Sequence, residues 1–168
     1  MEYKSTVLLP RTDFPMRAEL PKREPELQKK WDDSGLYGKI RAARKGARKY
    51  VLHDGPPYAN GNVHIGTGLN KILKDIVVKF HSMLGADAPY VPGWDCHGLP
   101  LENKVAEELG PAFRTMDPTA VRAKCEAYAQ KFIDVQRRQF KSLGVLGDWE
   151  RPYLTMSPQY EAGILDCF

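Results

Sequence analysis

Cysteine is scarce in this chain. Cys96, Cys125 and Cys167 are the only three in 168 residues, and no two form a C-x-x-C pair. An odd, widely spaced set argues against a disulfide framework and against a cysteine-only zinc site, and it fits a reducing compartment. Long apolar runs are also missing. No stretch approaches the roughly 20 residues needed to cross a bilayer. The opening segment MEYKSTVLLPRTDFP has neither the apolar core nor the small-residue cleavage site of a secretory signal. The expectation is a cytoplasmic protein that makes no membrane contact. Nor is there an extreme of charge: a net charge of +4 permits contact with ATP or RNA without demanding it. The length suffices for one domain with its own core.

Along the chain, residues 1–21 are rich in proline and polar side chains and read as an extended arm. KREPELQKKWDDS (22–34) has helical composition, with Pro25 suited to the first turn and Gly35 to the C-terminal stop. KIRAARKGARK (39–49) carries six basic residues. The plain reading is a solvated face, and the alternative is a phosphate-contacting patch. KYVLH (49–53) reads as a strand stopped by Asp54-Gly55-Pro56-Pro57. Apolar residues at 69, 72, 73, 76, 77, 80, 83 and 84 give a helix with one apolar face, closed by Gly85. DAPYVP (87–92) reads as a second strand. Strand, glycine loop, helix and strand make a βαβ unit with parallel strands. Leu101 to Leu109 reads as a short helix, and Asp117 caps a longer one that begins at Pro118 and ends near Gly144. A last helix opens at Ser157-Pro158.

Two loops stand out. In open α/β sheets ligands bind beyond the carboxyl ends of the strands. Residues 54–68 and 93–102 both fall at such ends, so they are expected side by side. In the first loop, Gly55, Gly61, Gly66 and Gly68 let backbone approach a ligand closely. His64 stands just before the helix, where unpaired N–H groups favour an anion. The spacing is neither that of a Walker A loop nor that of the dinucleotide fingerprint. A tight turn with a capping histidine is the alternative. In the second loop, Asp95 can hold a ligand ammonium by a charge-assisted hydrogen bond, or can bond its own backbone in a turn. Cys96 and His97 are adjacent, which suits a shared metal poorly, so no zinc site is expected in this segment.

The run HDGPPYANGNVHIGTGLNKILKDI (53–76) resembles the signature segment of the class I aminoacyl-tRNA synthetases, with His64-Ile65-Gly66-Thr67 on the four-residue HIGH motif. YVPGWDCHGLPLE (90–102) resembles the isoleucine-specific branch of that class, and the resemblance extends to LGVLGDWERPYLTM (143–156). It implies an α/β fold: an incomplete Rossmann-like parallel-sheet nucleotide-binding domain over 49–168, preceded by an arm and helix over 1–48. It also implies an enzyme. ATP, accompanied by Mg2+, and isoleucine would form isoleucyl-adenylate, and the aminoacyl group would pass to the isoleucine tRNA.

In that reading His64 and Thr67 serve the chemistry, and Asn60, Gly61 and Gly66 join them around ATP. Gly55, Pro56, Pro57, Tyr58 and Asp95 form the isoleucine pocket, with Asp95 on the α-ammonium. Thr67 departs from the motif, since it stands where the second histidine belongs and cannot carry charge. The KMSKS loop, the editing insertion and the anticodon-binding domain are not found in these residues. The expectation is a piece of a longer, monomeric enzyme that is inactive by itself. The alternative for the isolated piece is non-catalytic binding of ATP or tRNA.

Overall fold

A computed structural model describes residues 3–8, 12–13, 15 and 17–168. Its described residues form six α-helices and one small parallel sheet. The helices are α1 (Leu20–Asp33), α2 (Leu36–Ala43), α3 (Ile65–Met83), α4 (Leu99–Leu109), α5 (Pro118–Ser142) and α6 (Pro158–Asp166). Two strands, β1 (Gly93–Trp94) and β2 (Tyr153–Leu154), pair in parallel, Gly93 opposite Tyr153 and Trp94 opposite Leu154.

The segment expected as a first strand runs beside the segment expected as a second. They meet at two parallel bridges, Lys49 with Asp87 and Tyr58 with Asp95. Tyr50 N–H donates to Asp87 O at 3.0 Å, and Ala59 N–H donates to Asp95 O at 3.0 Å. No continuous ladder joins these points. Pro56, Pro57, Pro89 and Pro92 fall between them and have no N–H to donate. The parallel βαβ path therefore holds, while the regular strands expected over 49–53 and 87–92 are reduced to bridges.

The amino-terminal helix differs from expectation. It begins at Leu20, with Pro21 in the first turn, so Pro25 lies inside the helix. Glu19 precedes it in the left-handed conformation at φ 48°. The extended reading of residues 1–21 fails at Tyr3–Thr6, a 3-10 turn, and from Leu20 onward. Residues 1, 2, 9–11, 14 and 16 of that segment lie outside the described residues. Gly35 follows α1 at φ 61°, a backbone shape that glycine adopts without penalty.

The basic run after α1 is neither a solvated face nor a phosphate patch throughout. Arg41 forms an ion pair with the buried Asp87, and Lys49 joins the same carboxylate at 2.9 Å. Arg44 Nε donates to Ser82 O at 2.9 Å. These bonds fasten α2 to the end of α3 and to the second bridge segment.

The core lies between the bridged segments and α5. One face of α5 buries Tyr128, Ala129, Ile133, Gln136 and Phe140, at helical spacing. It meets Tyr90, Trp94, Leu101, Val145 and Trp149. The buried face of α3 is different: it presents Gly68, Lys71, Asp75 and Val78 inward. Its apolar stripe, with Leu69, Leu73, Ile76, Phe80 and Met83, is exposed. The periodicity that announced a helix thus marks the side turned away from this core.

Candidate functional site

The Tyr58–Asp95 bridge brings the two unusual loops together. Asp95 N–H donates to Pro57 O at 2.9 Å, which sets the Asp95 turn against the Gly55-Pro56-Pro57 wall. Asp95 Oδ1 accepts His97 N–H at 3.3 Å. The turn bond considered for this aspartate is therefore present, and it engages only one of the two carboxylate oxygens. A carboxylate has the capacity to accept a ligand donor besides such a bond.

An open cavity of about 290 Å³ is lined by Gly55, Pro57, His64, Gly66, Thr67, Asn70 and Lys71. Five of the residues singled out in the sequence meet there. Tyr58 is exposed beside them, and Asp95 is half-buried across the bridge. Asn60 and Gly61 lie outside that lining. Asn60 Nδ2 donates to Pro100 O at 3.4 Å, so its amide ties the glycine loop to the start of α4.

His64 is the N-cap of α3. Its Nδ1 accepts Gly66 N–H at 3.1 Å and Thr67 N–H at 3.3 Å. Accepting at Nδ1 leaves the neutral ring's hydrogen on Nε2, which faces Thr67 Oγ1 at 2.8 Å. Once Thr67 Oγ1 accepts from Nε2–H, its own hydrogen is free to point into the cavity. The histidine thus satisfies two orphan amides of the helix and orients a hydroxyl donor at the helix's positive end.

Sequence reasoning missed the residues that hold these loops in place. Gln136 of α5 is buried. Its Nε2 donates to Tyr58 O at 3.0 Å and Gly61 O at 2.7 Å, and its Oε1 accepts from Trp94 Nε1 at 2.9 Å. Gln139 Oε1 accepts Val63 N–H at 2.9 Å. Asp54 is buried, and Lys71 and Lys74 of α3 donate to its carboxylate, Lys74 at 2.8 Å. Gly93 N–H reaches the same carboxylate at 3.2 Å, and Tyr153 Oη donates to Asp54 O.

Burial pushes the Asp54 carboxyl up, but the charge and hydrogen bonds of Lys71, with those of Lys74, hold it below the usual carboxylate range. Burial pulls the Lys71 ammonium down, and Asp54 opposes that pull. Burial, with the Asp54 charge, raises the Tyr153 phenol to about 12, so it remains a donor. Gln136 is the one non-aromatic polar residue on the buried face of α5, at helical spacing from Ile133 and Phe140.

Cys96 is buried, and burial raises its thiol. His97 Nε2 faces Thr155 O at 3.1 Å. Among the described residues, no three His, Cys, Asp or Glu side chains are grouped to hold a metal. No helix among them is long and apolar enough to cross a membrane.

Comparison with known proteins decides the family. The profile described as "tRNA synthetases class I (I, L, M and V)" matches residues 26–168. The chain belongs to the class I tRNA synthetases. It is 59% identical, over all 168 residues, to an isoleucine--tRNA ligase of Brachyspira hyodysenteriae, and covers 18% of that protein. It is 56% identical over 168 residues to an isoleucine--tRNA ligase of Thermotoga maritima, again covering 18% of it. The chain therefore spans about a fifth of the length of these class I relatives. Among solved structures it is similar to the LeuRS–tRNA–LeuAMS ternary complex of Agrobacterium radiobacter, at a TM-score of 0.67 and 26% identity. That match covers 89% of this chain and 18% of the other. The mixed helical fold with its small parallel sheet fits a Rossmann-like part of a class I synthetase.

Proposed function

We propose that this chain carries the first half of an isoleucine-activating site within a longer isoleucine--tRNA ligase. Residues 49–168 are the first half of its Rossmann-like catalytic domain, and residues 1–48 are an arm and helix that buttress it. The remainder of that longer protein covers the exposed apolar stripe of α3. The single observation that carries the reading is the junction of the two loops. Asp95 lies across the Tyr58 bridge from a wall that also borders the His64–Thr67 cavity.

The layout suits the following reaction. A carboxylate oxygen of isoleucine attacks the α-phosphorus of ATP. The bond to the bridging α–β oxygen breaks, and pyrophosphate leaves with the electron pair. Asp95 holds the α-ammonium, while Gly55, Pro56, Pro57 and Tyr58 line the side-chain pocket. His64 and Thr67 present hydrogen bonds to the phosphates as charge shifts toward the leaving group. Asn60, Gly61 and Gly66 shape the nucleotide side. Mg2+ arrives with ATP and would neutralise phosphate charge. The aminoacyl group then passes to the isoleucine tRNA, recognised mainly by parts of the protein beyond these residues. The setting is the cytoplasm, and the longer protein works as a monomer.

Isoleucine and valine differ by one methylene, which a pocket separates by only about 10- to 200-fold. The test is ATP–pyrophosphate exchange by the full-length protein with each of the twenty amino acids. Isoleucine is expected to give the highest kcat/KM, with valine a distant second. Preference for leucine, methionine or valine would overturn the assignment. The chain of residues 1–168 alone is expected to give no exchange.

A further inference from the structure

Asp54 immediately precedes the pocket wall and is fixed from four directions. Lys71 and Lys74 reach it from α3, Gly93 N–H from β1 and Tyr153 Oη from β2. Lys71 is buried as completely as Asp54. Its Nζ also donates to Tyr90 Oη at 3.0 Å and lies 5.2 Å from the centre of the Phe140 ring. It sits six residues into the helix that begins after His64, about 9 Å along the axis at 1.5 Å per residue. Its side of α3 borders the same cavity as Gly55, Pro57, His64, Gly66 and Thr67.

A buried ion pair is a poor device for stability alone. Taking both charges out of water costs about as much as their attraction returns, and well-packed apolar side chains often serve folding as well or better. What the pair supplies that apolar contact does not is direction. Each hydrogen bond fixes an angle as well as a distance.

We propose that Asp54 and Lys71 are positioning residues for adenylate formation, setting the separation between the Gly55–Pro57 wall and the His64–Thr67 turn. The proposal rests on the isoleucine-activation reading above. Neither side chain touches the reacting atoms. They act through the backbone of the wall and the axis of α3, and their effect belongs to kcat.

The test is the paired variant Asp54→Asn with Lys71→Met in the full-length protein. Removing one partner alone strands a fully buried charge and risks unfolding, whereas removing both keeps the net charge and leaves only Lys74, whose side chain reaches solvent, to bond the amide oxygen in place of the carboxylate. The expected result is a folded protein whose melting temperature stays near that of the parent. Its kcat for isoleucine-dependent ATP–pyrophosphate exchange falls roughly 100-fold, the effect of a displacement near 1 Å. KM for ATP and for isoleucine each change less than about threefold, because uniform binding is untouched. Amide hydrogen exchange at residues 55–67 accelerates, while α5 retains its protection. A folded paired variant with the parent's kcat overturns the proposal. So does unchanged amide protection at 55–67, and so does failure of the paired variant to fold, which makes the pair structural. If the parent shows no isoleucine-dependent exchange, the functional reading falls, and the amide protection still decides whether the pair positions these two segments.

Discussion

His64 Nε2 lies 2.8 Å from Thr67 Oγ1, across the first turn of α3, while Nδ1 of the same ring caps the helix. The two nitrogens have separate duties. One stabilises the helix end, and the other orients the only side-chain hydroxyl in the motif.

Thr67→Val tests that division. The cap bonds go to backbone N–H groups and survive the change, so the melting temperature is expected to stay within a few degrees. The oriented donor is lost. Exchange kcat in the full-length protein is expected to fall about tenfold, the worth of roughly one hydrogen bond made in the transition state. Thr67→His is expected to raise kcat, since a second histidine can carry charge toward the phosphates. Steady-state ATP–pyrophosphate exchange and thermal melts check both.

Gly66→Ala separates stability from activity in the same turn. A Cβ there would stand 3.1 Å from His64 Cε1 and 3.2 Å from Nδ1, so the imidazole must shift. Loss of the cap costs about 1 kcal/mol. Alanine in place of glycine inside a helix returns roughly 0.5–1 kcal/mol. The two nearly cancel. Urea denaturation is expected to show little change, while exchange kcat drops with the displaced histidine.

At the sheet, a Cβ on Gly93 would meet the Tyr153 ring at 2.0–2.5 Å, well inside contact distance. Gly93→Ala must expel the ring, with its bond to Asp54 O and the β1–β2 pairing. Overpacking of this kind costs about 1–3 kcal/mol. Tyr153→Phe keeps the ring in place and removes only the hydroxyl bond, about 1 kcal/mol. Urea midpoints are expected in the order parent, Tyr153→Phe, Gly93→Ala. Equal midpoints for the two variants would show that the ring does not rest on Gly93.

Acid stability follows from two depressed carboxyls. Asp54 is held low by Lys71 and Lys74 against the opposing effect of burial. Asp87 is held low first by the Lys49 hydrogen bond and also by Arg41, again against burial. Each binds its proton less readily in the folded state than in the unfolded state. Their contribution is complete above the unfolded value of about 3.9 and is lost as pH falls through the lower folded values. Urea midpoints are expected to hold steady from pH 7 to pH 5 and to drop below about pH 4. Asp87→Asn is expected to lower the midpoint at pH 7 and flatten the acid drop.

Much of the layout was legible in the sequence because local chemistry dictates it. Asp117 before Pro118 caps α5, accepting the Thr119 and Ala120 amides as its side chain should. Gly85 follows α3 at φ 98°. His64 precedes α3 because the residues after it are helical. The departures arose where a longer-range partner or a missing donor decides. Between the Lys49–Asp87 and Tyr58–Asp95 bridges, prolines without N–H groups interrupt the ladder expected of strands 49–53 and 87–92. The apolar stripe of α3 is exposed among the described residues, while Lys71 on its other face turns inward onto Asp54. Lys71 and Gln136 were not singled out in the sequence. Their partners are 17 and up to 78 residues away, beyond the reach of any local pattern.

In the proposed function, the Asp95 loop and the His64 turn divide the labour of one adenylate-forming site. The most direct test is the effect of Asp95→Ala on both substrates in the full-length protein. A charge-assisted hydrogen bond is worth about 1.5–3 kcal/mol, or roughly 10- to 150-fold in affinity. KM for isoleucine is expected to rise by that factor in ATP–pyrophosphate exchange, while KM for ATP stays within about threefold of the parent. Equal weakening of both substrates, or an unchanged KM for isoleucine, would contradict the assignment of Asp95 to the ammonium and with it the division of the site.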